Sequence, residues 1–428
     1  MRSADSDHGK RMVVAPSLPS ANAAPARRNL PVFSSWLLLL TVIAKPLSDA
    51  FYQVTAVKYG YMLLLGCAAL LGKYGQVFQG TTADPRNKAL PVYIGLILLY
   101  FVFLSVLGLI AGGSLEEIFK IISPFVFFLL VAYAADRWLV PALAIGAALT
   151  VLVNAAMLPF DAGWVIWGTV RTFKGYYFFK TDLAYALSYS VLLYALYTQY
   201  KITPLLSLLT LFASIEVFLA NSRLNYLNFL CVILFIGVKQ ARSRRALRRF
   251  ALLVTLLAIA VTLALVHDPA HLLGFNFSNE AAFTQGRSIT WTHLIAAQRE
   301  SSALQWFFGH GPFADLALSA RWAGVDATLT GQAYNAHNEF LHMIYTQGAI
   351  GCALAIALWV MTFRLSCSRL MPRWARGTGA VALLLYLLQG MTAVTSSFAT
   401  KTWPLVMVLL ALRQISREPG AAQATRIA

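Results

Sequence analysis

Long apolar runs separated by short polar gaps fill most of the chain, and they read as spans rather than as half-buried faces. A helix needs about 20 consecutive apolar residues to cross roughly 30 Å of hydrocarbon. On that measure the sequence predicts twelve helices, near 32–51, 55–72, 90–111, 118–135, 138–157, 182–199, 203–220, 224–239, 250–267, 337–362, 378–398 and 402–415. The expected fold class is therefore all-α, a polytopic integral membrane protein. Residues 1–31 are polar and rich in Ala, Ser and Pro, the composition of a disordered tail, and 416–428 form a second short tail.

Two intervals interrupt the spans. Within the first block of nine helices (32–267), residues 158–181 are aromatic and basic, with Trp164, Trp167, Arg171, Lys174 and Tyr176. This reads as an interfacial belt, with Arg171 and Lys174 as possible contacts to an acceptor or to lipid. The second interval, 268–336, precedes the last three helices (337–415) and holds roughly seventy residues, where a handful would join two spans. A loop of that size implies work at the membrane surface.

Composition sharpens the class. The chain is 59% hydrophobic and 12% charged, which excludes an ordinary soluble domain. Its net charge of +17 would suit nucleic acid, but the Lys and Arg residues cluster between apolar runs, so the partner they indicate is membrane lipid and not nucleic acid. Of the 34 basic residues, 23 fall in gaps on the side of the tails, the densest being 239–249. By the positive-inside rule the tails are cytoplasmic and the 268–336 loop faces outward. The four cysteines, Cys67, Cys231, Cys352 and Cys367, suggest neither a disulfide framework nor a metal knuckle.

Candidate chemistry lies at three places. Arg223 stands in Ala220-Asn221-Ser222-Arg223-Leu224-Asn225, where one span ends and the next begins, with Asn221 or Ser222 as the expected cap. Arg287 repeats the arrangement in Gly286-Arg287-Ser288-Ile289-Thr290-Trp291, opening an amphipathic helix expected over 288–307. An arginine in a first turn opposes the helix dipole, and a bound anion reverses that cost. His337, in Asn335-Ala336-His337-Asn338-Glu339-Phe340-Leu341, sits at the membrane edge beside a helix start that Asn335 is expected to cap. There a neutral imidazole able to accept a proton is favoured. Asn338, Glu339 and Trp291 are possible donor or acceptor contacts. Metal ligation finds little support: His337 and His342 are five apart, Pro269 separates His267 from His271, and the one Asp-x-Asp, Asp5-Ser6-Asp7, lies in the tail. No cofactor is expected, and the cationic charge at the site would come from arginines. The residues alone describe an outer-face site suited to an anionic lipid-linked leaving group and a hydroxyl nucleophile.

From Asn221 to Gly351 these phrases resemble the O-antigen ligase/polymerase superfamily of bacterial envelope glycosyltransferases. The resemblance rests on Arg223 after a span, on the Arg287 helix closing in Phe308-Gly309-His310-Gly311-Pro312-Phe313, and on His337-Asn338-Glu339-Phe340-Leu341 followed by Gln347-Gly348-Ala349-Ile350-Gly351. Twelve spans and one large loop look most like the ligase branch. The resemblance implies a metal-independent enzyme of the bacterial inner membrane with its active site on the periplasmic side. It would move a glycan from undecaprenyl pyrophosphate to a sugar hydroxyl of lipid A–core. His337 would be the base, and Arg223 and Arg287 would hold the pyrophosphate. An O-antigen polymerase and a periplasmic oligosaccharyltransferase acting on protein share the motifs, though the latter commonly carries a longer C-terminal soluble region. A lipid-linked-oligosaccharide flippase, a different class, would need cations along a central passage rather than at one face.

Overall fold

Most described helices begin and end within a few residues of the apolar runs, but the run expected to span 378–398 is helical only to Gly390, where the chain turns. The computed structural model describes residues 39–45, scattered positions from 48 to 67, 89–111, 115–134, 138–167, 170–240, 287–312, 314–323, 336–367, 371–395 and 399–417. They include α1 (Leu90–Ala111), α2 (Leu115–Ala134), α3 (Leu139–Ala155), α4 (Lys180–Tyr197), α5 (Pro204–Ala220) and α6 (Arg223–Gln240). Then follow α7 (Arg287–Arg299), α8 (Ala303–Phe308), α9 (Ala314–Ala323), α10 (Glu339–Ser366), α11 (Thr378–Gly390) and α12 (Ala399–Arg417). The expected spans 32–51 and 55–72 fall largely, and 250–267 wholly, outside the described residues.

The described residues are mostly helical, consistent with the expected all-α membrane class, and carry one small hairpin besides. Residues expected as an interfacial belt fold back as a hairpin, β1 (Trp164–Trp167) on β2 (Val170–Phe173), antiparallel with Ile166 opposite Arg171. Trp164 sets its ring edge against Phe173 across the strands. Aromatic and β-branched residues at that spacing favour a pleated surface over a helix.

α1 shows what solvent these helices suit. Its exposed side carries Leu98, Leu99, Val102, Val106, Leu109 and Ile110, while its buried side carries Tyr93 and Tyr100 among aliphatics. A helix facing water is built the other way round. α5 repeats the inversion, exposing Leu208, Leu211 and Phe218 while burying Glu216. Among the described residues α1 and α10 are long and apolar enough to cross a membrane.

Two helices run through the middle. α4 is buried on every side from Asp182 to Leu196 and packs on α3, α5, α6 and α12. α12 is buried over nearly all of its length. Hydroxyl groups tie neighbours together inside this apolar mass. Tyr93 Oη meets Thr362 Oγ1 at 2.9 Å, Tyr100 Oη donates to Gln347 Oε1 at 2.5 Å, and Tyr189 Oη donates to the carbonyl of Ala382.

Polar contacts sort the helix ends into two sets. At one end Lys180 Nζ donates to Asn221 O, Asn225 Nδ2 to Thr181 O, and Thr395 N to Glu339 Oε2. At the other, Tyr200 bonds Thr378, Arg413 donates to Leu365 O, and Arg417 to Ala132 O. Every described acid belongs to the first end or to the turns nearest it: Glu116, Glu117, Asp161, Asp182, Glu216, Glu300, Asp315 and Glu339. The described residues at the second end are basic where they are charged, with Lys201, Lys239, Arg364, Arg373, Arg376, Arg413 and Arg417. The expected orientation, with the basic end in the cytoplasm, is one the positive-inside rule would give to such an asymmetry, and labelling tests it. In a background freed of Cys67, Cys231, Cys352 and Cys367, a cysteine at exposed Glu300 should react with an impermeant maleimide in intact spheroplasts. One at exposed Lys201 should react only after permeabilisation, and labelling of both from outside would refute the orientation.

Candidate active site

His337 stands just ahead of α10 in a left-handed conformation, φ 47°. Outside glycine that conformation costs roughly 1–2 kcal/mol, so its neighbours must hold it. The helix that follows is capped by Asn338, not by Asn335, which lies outside the described residues. Asn338 Oδ1 accepts from the amides of Phe340 and Leu341 at 3.0 and 3.1 Å, and its Nδ2 donates to Met391 O at 3.3 Å. Glu339 is buried, and its Oε2 accepts from the Thr395 amide at 2.6 Å. The two residues proposed from sequence as substrate contacts thus also tie the start of α10 to the α11–α12 connection.

Arg287 opens α7, but the helix expected over 288–307 is two helices. α7 stops at Arg299, and Ser302 starts α8 through a capping box with Gln305. Serine hydroxyls compete with the helical backbone for its own hydrogen bonds, and Ser301-Ser302 marks the break. Trp291, one turn beyond Arg287, donates its indole Nε1 to Ala336 O at 2.7 Å. The amide of the same Ala336 donates to Asp315 Oδ2 at 2.9 Å, and that oxygen also meets His342 Nδ1 at 2.8 Å. Asp315, Ala336 and His342 are completely buried. Burial disfavours the ionised carboxyl of Asp315. The charge of His342, its hydrogen bond and the amides of Ala336 and Leu316 outweigh this and hold the carboxyl below its usual range. Sequence reading missed Asp315: it lies 27 residues from His342 in a phrase with no recognisable spacing.

The two glycine phrases turn out to be halves of one contact. Gly348 interrupts α10 with φ 64°, ψ −170°, and the carbonyls of Tyr345 and Thr346 are met by the amides of His310 and Gly311, both at 2.9 Å. A Cβ on Gly348 would lie 2.5 Å from Gly309 N and Phe307 O, and one on Gly309 would lie 2.4 Å from Thr346 O. Backbone approaches backbone this closely only where side chains are missing. The His310 ring stacks on Tyr345 at 4.3 Å and its Nε2 meets Ser301 Oγ at 2.7 Å, while burial pushes its pKa down.

Arg223 opens α6. Asn221, a candidate cap for that helix, instead closes α5 as a left-handed C-cap with φ 48°, and Ser222 Oγ accepts from Asn225 Nδ2 at 2.9 Å. Asn228 Nδ2 then reaches Asn225 Oδ1 at 3.1 Å and Gln389 Oε1 at 3.4 Å. Gln389 lies in the last turn of α11, two residues before the Met391 carbonyl that accepts from Asn338. The helix begun by Arg223 and the residue after His337 therefore share α11 as a neighbour. Arg171 and Lys174 sit on the hairpin, which packs on α5. Arg171 pairs with Asp161 at 2.6 Å and lies over the Trp164 ring, and the Lys174 amide donates to Gly163 O.

Among the described residues no three His, Cys, Asp or Glu side chains converge as a metal site. Residues 208–356 match the family model described as O-antigen ligase. This segment belongs to the O-antigen ligase superfamily. It runs from the second turn of α5 to the middle of α10 and contains Arg223, Arg287, His337 and both halves of the glycine contact. No curated protein matches the chain. The match supports ligase/polymerase-type activity in general. The glycine contact is testable by itself. Gly348→Ala should destabilise the protein by about 1–3 kcal/mol from its backbone conformation alone, whereas Gly237, with open space where a Cβ would go, should accept alanine without loss. Thermal unfolding of the purified variants in detergent measures both.

Proposed function

We propose that the chain is an O-antigen ligase. It transfers a glycan from undecaprenyl pyrophosphate to a sugar hydroxyl of lipid A–core at the periplasmic face of the inner membrane, without a metal. One observation carries this reading: the indole of Trp291, one turn along the helix begun by Arg287, holds the carbonyl of the residue preceding His337. That contact supports reading the start of the Arg287 helix and the candidate base His337 as parts of one site.

The chemistry assigned to them is a direct displacement. His337 takes the proton of the acceptor hydroxyl as its oxygen attacks the anomeric carbon. The bond from that carbon to the pyrophosphate oxygen breaks, and its electron pair departs with undecaprenyl pyrophosphate. Arg287 and Arg223 supply positive charge, and the free amides of their helix starts supply donors, where the leaving group gains negative charge. Attack from the face opposite the leaving group inverts the anomeric centre. Asn338, Glu339 and the hairpin cations Arg171 and Lys174 would border the acceptor.

Purified enzyme, lipid-linked glycan and separate lipid A–core, glycan and peptide acceptors test the assignment. Transfer should go to lipid A–core and persist in excess EDTA; transfer to glycan or peptide instead would replace the ligase reading with the polymerase or the protein-directed one. His337→Ala should still bind donor while transfer falls roughly 10²–10⁴-fold, the usual contribution of a general base. Arg287→Ala should weaken donor binding and transfer together, and Arg287→Lys should recover only part, because lysine keeps the charge and loses the two-pronged grip on phosphate oxygens. A His337→Ala protein that elutes as wild type and transfers at the wild-type rate would end the base assignment.

A further inference from the structure

His337 stands in a left-handed backbone conformation that its surroundings must support, and part of that support acts on the residue before it. Ala336 is bound on both sides. Its amide donates to Asp315 Oδ2 at 2.9 Å and its carbonyl accepts from Trp291 Nε1 at 2.7 Å. The two peptide groups flanking its Cα are therefore fixed from two different helices, α9 and α7. Beyond His337 the His342 amide donates to the carbonyl of Asn338 at 2.9 Å, and the His342 ring returns to the same Asp315 oxygen. Leu294, Ala336 and Tyr345 close over the arrangement as a small apolar core of their own, separate from the main one.

We propose that Asp315 and Trp291 are positioning residues of the transfer site, a two-sided clamp on Ala336 that fixes His337 relative to the start of the Arg287 helix. The proposal rests on the reading of His337 as the base. Its geometry is specific. Trp291 follows Arg287 by four residues, about 6 Å along the helix axis, so one arm of the clamp comes from the turn next to that helix start. Asp315 performs three tasks with one carboxylate: it receives the Ala336 amide, it engages His342 in the first turn of α10, and it joins α9 to both. Being completely buried, it meets no water that could replace either partner. A base displaced by an ångström still folds and still binds, but it loses the alignment on which proton removal depends. Neither residue needs to touch substrate.

A double-mutant cycle separates positioning from general support. Asp315→Asn removes the charge and one acceptor site, and Trp291→Phe keeps the ring and removes only the N–H. Each should lower kcat by about 10- to 100-fold, the scale of a small misplacement, with KM for the lipid-linked donor changed less than twofold. Combined with His337→Ala, each should cost nothing further, because the group they position is gone. Folding is followed by size exclusion and thermal unfolding. Trp291→Phe carries the test if Asp315→Asn does not accumulate, since loss of one hydrogen bond leaves the rest of the clamp in place. The same fractional loss of kcat with and without His337, or a rise in KM at constant kcat, would overturn the proposal. If His337→Ala itself transfers glycan normally, the base assignment fails instead, and the two failures are told apart by that single variant.

Discussion

A helix that breaks releases backbone carbonyls from their intrahelical partners, and where they are buried each needs another donor. α10 breaks at Gly348, and the amides of His310 and Gly311 arrive at the carbonyls the break releases. Much follows from this contact. It fixes the phrase after α8 against α10 and brings α9 within reach of the segment before His337. Through Ala111, whose side chain meets the space beside Gly311, it also registers the loop against the end of α1. At this joint main chain lies directly against main chain, which is why glycine recurs on both sides of it.

The parts of this architecture that were readable in the sequence are those set by local rules. Span positions follow from run length, which needs no knowledge of partners, and α1 starts and stops where its apolar run does. Arg223, Arg287 and His337 stood out because charged or titratable residues at helix starts beside hydrocarbon are expensive, and the superfamily resemblance covered the same stretch. What escaped is non-local. Asn335 and Asn338 are equally good caps by type, and the choice between them depends on where the chain leaves Ala336. The hairpin at Trp164–Phe173 has the aromatic content of a membrane belt, and only pairing across the turn distinguishes them. Asp315 acquires meaning from His342 and Ala336, neither of which its own neighbourhood announces.

The site inherits its electrostatics from this arrangement. Acidic side chains gather at the end where His337 lies, yet those nearest it are already engaged: Asp315 by an amide and a histidine, Glu339 by the Thr395 amide. On the proposed reading, the arginines that begin α6 and α7 would supply the positive charge an anion meets there.

The hydroxyl contacts inside the bundle have a consequence of another kind. Lipid tails wet an aliphatic helix face as well as a neighbouring helix does, so apolar area gives these helices little reason to choose one vertical alignment over another. A tyrosine that reaches a single acceptor does. Tyr93 on Thr362 and Tyr100 on Gln347 act as two dowels between α1 and α10, one near the start of α1 and one at its middle. Sliding either helix by a turn would strand both hydroxyls in hydrocarbon while leaving the aliphatic contact area almost unchanged. The greasy surfaces keep the helices in the membrane; the sparse polar pins decide at what height they stop.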